Sequence, residues 1–269
     1  MEIKDRIQNG VTYLAADGLE AAGGVVHGFS TRLGGVSTGI YASMDLGTTR
    51  GDDSEHVREN YRRFLAAIGA APDRIAMSNQ VHSDVVRPVT VADVKKDLYD
   101  QEPYEADGLV TDIPGVALVI FSVDCLPVLL YDPVRHVAAA AHAGWRGTAS
   151  GIVERAVEKM AFYGSRPEDI LAAIGPGISK CCFETHEDVP NAMTAALGVR
   201  ATPFITPIQH GKFLVDLKGI NAMRLERAGL APEHIAVSGD CTACQPDKYW
   251  SHRVTQGVRG SQAAVIQLL

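Results

Sequence analysis

Short apolar runs follow one another at 107–111, 116–123, 127–132 and 136–142, and in the longer ones apolar residues fill consecutive positions rather than alternate ones. Side chains alternate across a strand, so a run of this length that is apolar at both parities buries both of its faces. The chain must therefore build a sheet covered on each side. Further short runs at 74–81 and 84–91 extend the series. Strands are also expected at 169–174, 212–216, 234–238 and 262–267.

Helical spacing of Val57, Tyr61, Phe64, Leu65 and Ile68 predicts an amphipathic helix over 53–68, with Asp53 or Ser54 as its cap and Gly69 as its stop. A second helix is expected from Thr148 to about Tyr163, with Ile152, Val153, Ala156 and Met160 on its inner face. Others are expected near 187–197 and 217–228. Strands and helices alternate only in the second half, which predicts a mixed-sheet, multilayer α/β sandwich rather than a regular doubly wound sheet. No linker or repeat divides the sequence, so residues 1–269 are expected to form a single domain.

With 25 Lys+Arg against 32 Asp+Glu and no basic block, the chain is not built to track a phosphate backbone, and nucleic acid is not expected as a partner. The N-terminus has no apolar signal core, and the longest apolar run is broken by Asp124 and Pro127. A cytoplasmic protein without membrane attachment is expected. The odd set of five cysteines, Cys125, Cys181, Cys182, Cys241 and Cys244, suits reduced thiols better than a disulfide framework. Cys241-Thr-Ala-Cys244 is a lone CxxC, and a zinc finger needs a second hook.

Three side chains stand out as candidate metal ligands: His82 after Asn79-Gln80-Val81, Cys125 after Ser122-Val123-Asp124, and His142 before Ala143-Gly144-Trp145-Arg146-Gly147. Two imidazoles and a thiolate would leave a fourth tetrahedral position on zinc open, as in a catalytic site. Read singly, Cys125 is also a small buried hydrophobe, His142 a core histidine at a tight turn, and His82 an exposed side chain. Asp124 within an apolar run needs a partner. It either supports a metal-bound histidine from behind or caps a neighbouring backbone. The glycine- and hydroxyl-rich stretch from Gly28 to Ser37 around Arg32, and Arg253 near the C-terminus, offer cations for an oxyanion or phosphate.

Seven segments in order resemble the laccase-domain family, also called the multicopper polyphenol oxidoreductase or purine nucleoside phosphorylase family, which includes bacterial peptidoglycan-editing factors. They are Phe29 to Ser37, Asn79 to His82, Ala106 to Thr111, Asp124 to Val128, His142 to Gly147, Ile174 to Ile178, and Cys241 to Cys244. The resemblance implies zinc held by His82, Cys125 and His142, with Asp124, Cys125 and His142 in catalytic roles. Arg32, Gln80, Arg146 and Arg253 are the candidate substrate contacts. It implies phosphorolysis of purine nucleosides (inosine, adenosine, guanosine, and methylthioadenosine as a further substrate), deamination of adenosine, and the sandwich fold of cytotoxic necrotizing factor-type deamidases. His252 departs from the family, which more often has an aromatic residue before this arginine.

Three rival readings share these residues. A thiol hydrolase or amidase of peptidoglycan precursor editing would use Cys125 as nucleophile and His142 as base. A copper polyphenol oxidase is disfavoured, because no His-x-His pair occurs among the nine histidines. A non-catalytic partner of cell-wall or division proteins is the third.

Overall fold

Parity along two neighbouring strands defines the layers. In the strand Leu126–Asp132, Leu126, Val128 and Leu130 face one core while Leu129 and Tyr131 face another. Its antiparallel neighbour Val137–Ala143 repeats the division, with Ala139, Ala141 and Ala143 on the first side and Ala138 and Ala140 on the second. The computed structural model describes residues 1–102 and 104–269.

One six-stranded sheet consists of β1 (Ile3–Gln8), β2 (Val11–Ala16), β3 (Val25–Ser30), β4 (Ile75–Ala76), β7 (Ala117–Ser122) and β15 (Gln262–Leu268), in the order β1-β2-β3-β15-β7-β4. The other contains β5 (Val86–Pro88), β6 (Gly108–Thr111), β8 (Leu126–Asp132), β9 (Val137–Ala143), β10 (Leu171–Ile174) and β14 (Ile235–Val237), in the order β14-β10-β8-β9-β6-β5. Both sheets are mixed: β4 runs parallel to β7, β5 to β6 and β10 to β14, while the other pairs are antiparallel. A small sheet of β11 (Glu184–Thr185), β12 (Ile205–Pro207) and β13 (Phe213–Val215) lies apart from them.

The two large sheets pack face to face. Leu14, Phe29, Leu118, Ile120, Ala264 and Ile266 of the first meet Leu109, Leu129, Tyr131, Ala138, Ala140 and Ala173 of the second. Outside the first sheet lies α2 (Ser54–Ile68), whose buried face of Val57, Tyr61, Phe64, Leu65 and Ile68 is the one expected from its spacing. It is capped by Asp53, which accepts from the Glu55 N–H at 2.8 Å, and it stops at left-handed Gly69. Outside the second sheet pack α4 (Ile152–Ala161), α5 (Asp188–Leu197) and α6 (Leu217–Arg227). The result is the expected multilayer mixed-sheet sandwich.

Three details differ from the sequence expectation. The N-terminal hairpin β1–β2, the strand β3, the short strands β11 and β12, and the short helix α1 (Asp17–Ala22) were not anticipated. The helix expected from Thr148 begins earlier and is two helices, α3 (Trp145–Ser150) and α4, separated by Gly151 at φ 86°. The runs at 74–81 and 84–91 yield only β4 and β5. Between them the backbone N–H groups of Val81, His82 and Ser83 turn onto the Asp107 carboxylate at 3.1, 3.0 and 2.7 Å instead of joining a ladder.

Candidate active site at the end of the second sheet

Register places the chemistry. His142 lies opposite Pro127 on β8, and Ala143 opposite Leu126, so Cys125 sits at the same end of the sheet as His142. Gly108 of β6 lies opposite Ala141 and is paired on its other side with Val86 of β5. This brings Asp107 and the 79–85 loop to that end as well. By strand parity His142 projects on the same face as Ala138 and Ala140, toward the other sheet.

The ligand atoms of His82, Cys125 and His142 all lie within 4.8 Å of one another. Cys125 Sγ is 4.0 Å from His82 Nε2, and the two imidazole rings stand edge to face with centroids 4.9 Å apart. His142 is buried, Cys125 is half-buried and His82 is exposed. His82 adopts φ 63° to reach its place. Gly144 leaves the space between them open: a Cβ there would stand 2.9 Å from His82 Cδ2 and 3.1 Å from Cys125 Sγ.

Asp107, which the sequence reading did not assign to the site, organises it. His142 Nδ1 donates to Asp107 Oδ1 at 2.8 Å, which leaves Nε2 as the free donor atom of that ring. The same carboxylate accepts the three loop N–H groups and the Ser83 hydroxyl at 2.8 Å. Burial alone would raise its pKa, but the His142 and Ser83 hydrogen bonds prevail and hold it at about 2. The donor set therefore fits a metal ion, with two imidazoles, a thiolate and a carboxylate fixing one ring from behind. Without a metal, burial works to raise the Cys125 thiol, yet His142 and His82 bring its pKa to about 6. Burial likewise opposes the charged imidazole of His142, and the Cys125 thiolate and Asp107 overcome it to give about 9.

A cavity of about 240 Å³ opens on this cluster and is also lined by Gln80, Arg50, Arg259 and Glu102. Gln80 lines the cavity, with its amide held by two bonds to the Phe121 backbone at 2.8 and 2.7 Å. Arg50 and Arg259 are the cations of the cavity, and the sequence reading assigned neither. Arg259 Nε is buried without a hydrogen-bond partner among the described residues, and so is Glu102 Oε2.

The other expected contacts lie elsewhere. Arg32 donates from Nε and Nη2 to Ala42 O and from Nη1 to Pro246 O, with its guanidinium 3.9 Å over the Trp250 ring. It is spent on tying loops together. Arg253 is spent in the same way on Cys182 O and Glu184 O, at 2.8 and 3.0 Å. Arg146 is exposed, 4.3 Å over Trp145, and does not line the cavity. Asp124, at φ 70°, accepts from Thr242 Oγ1 at 2.6 Å, Ser251 Oγ at 3.2 Å and Arg253 N at 2.7 Å. Its carboxylate thus caps backbone and hydroxyl groups, while the carboxylate behind the histidine is Asp107.

With this geometry established, comparison with known proteins places the chain. Residues 26–269 match the family model described as multi-copper polyphenol oxidoreductase laccase, and the chain belongs to that family. It is 42% identical over 247 residues to a purine nucleoside phosphorylase of Deinococcus radiodurans, covering 91% of this chain and 89% of that one. It is 35% identical to the purine nucleoside phosphorylase YfiH of Escherichia coli, with 91% and 95% covered. The crystal structure of YlmD from Geobacillus stearothermophilus superposes with a TM-score of 0.92 at 32% identity, covering 100% of this chain and 99% of that one.

Proposed function

We propose that the chain is a zinc-dependent purine nucleoside phosphorylase, acting on inosine, adenosine, guanosine and methylthioadenosine, that also deaminates adenosine. The observation that carries this reading is a three-donor set, His82, Cys125 and His142, in one cavity with two arginines, Arg50 and Arg259. The names of the relatives from Deinococcus radiodurans and Escherichia coli agree with it.

Zinc bound by the three side chains would supply Lewis acidity at an open coordination position. Arg50 and Arg259, the two arginines that line the cavity, hold phosphate by charge-assisted hydrogen bonds. Phosphate oxygen then attacks C1′ of the ribose as the bond from C1′ to the purine nitrogen breaks. The base leaves with the electron pair and takes up a proton, giving free purine and ribose 1-phosphate. Asp107 keeps the His142 ring oriented throughout. In deamination, water adds at C6 and ammonia departs. Glu102, which lines the cavity with its Oε1 held by Lys95 at 2.9 Å, moves a proton from the attacking water to the departing nitrogen, whereas Asp124 has both oxygens occupied and positions the Cys125 turn.

Nothing in this chemistry calls on copper, and a two-nitrogen, one-thiolate set suits zinc. The same reading treats residues 1–269 as one domain related to the cytotoxic necrotizing factor-type deamidases. Its support is that β15 completes the sheet begun by β1–β3 and that a cysteine and a histidine meet at strand ends. No helix among the described residues is long and apolar enough to cross a membrane. With five free cysteines, the chain is assigned to the cytoplasm.

One observation favours a second reading. The thiolate–imidazolium pair expected of metal-free Cys125 and His142 is the starting state of a thiol amidase. The test is release of purine base from inosine by metal-quantified protein, with and without phosphate, beside His82→Ala and Cys125→Ala. Phosphate-dependent release by the zinc-loaded wild type alone supports the phosphorylase. Amide hydrolysis by metal-free protein, abolished by alkylating Cys125, would replace it with the amidase.

A further inference from the structure

We propose that Cys181, Cys182, Cys241 and Cys244 form a second, closed metal site that binds Zn2+ through four thiolates. This does not depend on the phosphorylase reading. The four sulfurs lie within 4.8 Å of one another, with Cys182–Cys244 at 3.3 Å, Cys181–Cys244 at 3.6 Å and Cys181–Cys182 at 3.8 Å. Thiolates about 2.3 Å from a tetrahedral zinc stand about 3.8 Å from each other, so the cluster already has nearly the dimensions of the coordination sphere. A disulfide would join only two of the four and needs sulfurs about 2.05 Å apart.

The sequence separates the two hooks. Cys241-Thr-Ala-Cys244 is one of them. The second is the adjacent pair Cys181-Cys182, which no spacing rule identifies and which the fold delivers. β10 and β14 are parallel neighbours, and the segments leaving them stay together through the Gly177–Cys241 bridge and the Thr242 N–H to Gly177 O bond at 3.2 Å.

The surroundings suit bound thiolates. Cys241 Sγ accepts the Ser179 N–H at 3.3 Å. Backbone donors of this kind stabilise a thiolate. Four thiolates around a divalent ion leave net negative charge, and two cations sit beside the cysteines. Lys218, only 6% exposed, donates from Nζ to Ser238 O at 2.9 Å and Asp240 O at 2.6 Å, just before Cys241. Arg253 binds the carbonyl of Cys182.

The effect is structural. Thr242, inside the CxxC hook, and Ser251 with Arg253 just beyond it hold the Asp124 carboxylate one residue before Cys125. Closing the four-cysteine site anchors that scaffold.

The test is elemental analysis of zinc per chain in three proteins purified under reducing conditions: wild type, His82→Ala/Cys125→Ala, and Cys241→Ser/Cys244→Ser. Expected are about two zinc ions in the wild type and about one in each double variant. Cobalt titration of His82→Ala/Cys125→Ala leaves the four cysteines unaltered and stays decisive if the serine variant does not fold. It should develop intense sulfur-to-cobalt charge-transfer absorption together with tetrahedral ligand-field bands. Absence of both from that protein, or a Cys182–Cys244 disulfide persisting after reduction and zinc addition, would overturn the site.

Discussion

One carboxylate, that of Asp107, fixes the His142 ring and shapes the loop that presents His82. Asp107→Asn is expected to weaken metal binding about 10–100-fold, read by competition with a chromogenic chelator. Gly144→Ala drives a methyl group between His82 and Cys125. It should lower zinc content at the active site while leaving far-UV circular dichroism unchanged. Arg259→Gln is expected to raise KM for phosphate at least about 10-fold, a loss of about 1.4 kcal/mol, with a smaller effect on KM for inosine. At this scale the sequence was partly legible. His82, Cys125, His142 and Gln80 were identified and come together. Arg32 and Arg253 were visible as cations, but their use depends on carbonyls far away in sequence, Pro246 in one case and Cys182 in the other. Arg50 and Arg259 lie outside any motif and become cavity residues only when the C-terminal segment folds back beside Gly47.

At the level of elements, the missed hairpin did carry a signal. Asn9-Gly10 joins β1 and β2 with both residues at positive φ, 52° and 77°, as a two-residue hairpin turn demands. The flanking strands were obscured because β1 is largely exposed and charged. The break between α3 and α4 has a local cause in Gly151, whose left-handed backbone at φ 86° cannot continue a right-handed helix and is open to glycine. Between β2 and β3, buried His27 accepts the Ala16 N–H at 2.8 Å through Nε2, which requires an uncharged acceptor nitrogen. Burial lowers its pKa to about 4. Folded protein therefore binds fewer protons than unfolded protein between the two pKa values. The stability from this histidine is complete above the unfolded value of 6.5 and drains away as pH falls toward 4. The gap corresponds to about 3 kcal/mol. Urea unfolding from pH 7.5 to 4 should show this loss in the wild type and a flatter profile in His27→Gln. Equal slopes would remove His27 from the account.

For the whole molecule, two mixed sheets packed through small residues, alanines at 138, 140, 173 and 264 among them, place strand ends, the His82 loop and the C-terminal segment around one cavity. The layered architecture was legible because doubly apolar strands admit few arrangements. The cavity was not, since it is assembled from segments as distant as Arg50, His142 and Arg259. The division of labour between carboxylates predicts that Glu102→Gln slows adenosine deamination at least about 100-fold and phosphorolysis of inosine much less. Comparing ammonia release with base release in one preparation checks this. The central claim, phosphorolysis at the His82–Cys125–His142 cavity, is tested most directly by phosphorus NMR of zinc-loaded protein with inosine and inorganic phosphate. The account predicts growth of a ribose 1-phosphate signal matched by free hypoxanthine, and neither from Cys125→Ala. Hypoxanthine with free ribose and no phosphate ester, or equal turnover by Cys125→Ala, would contradict it.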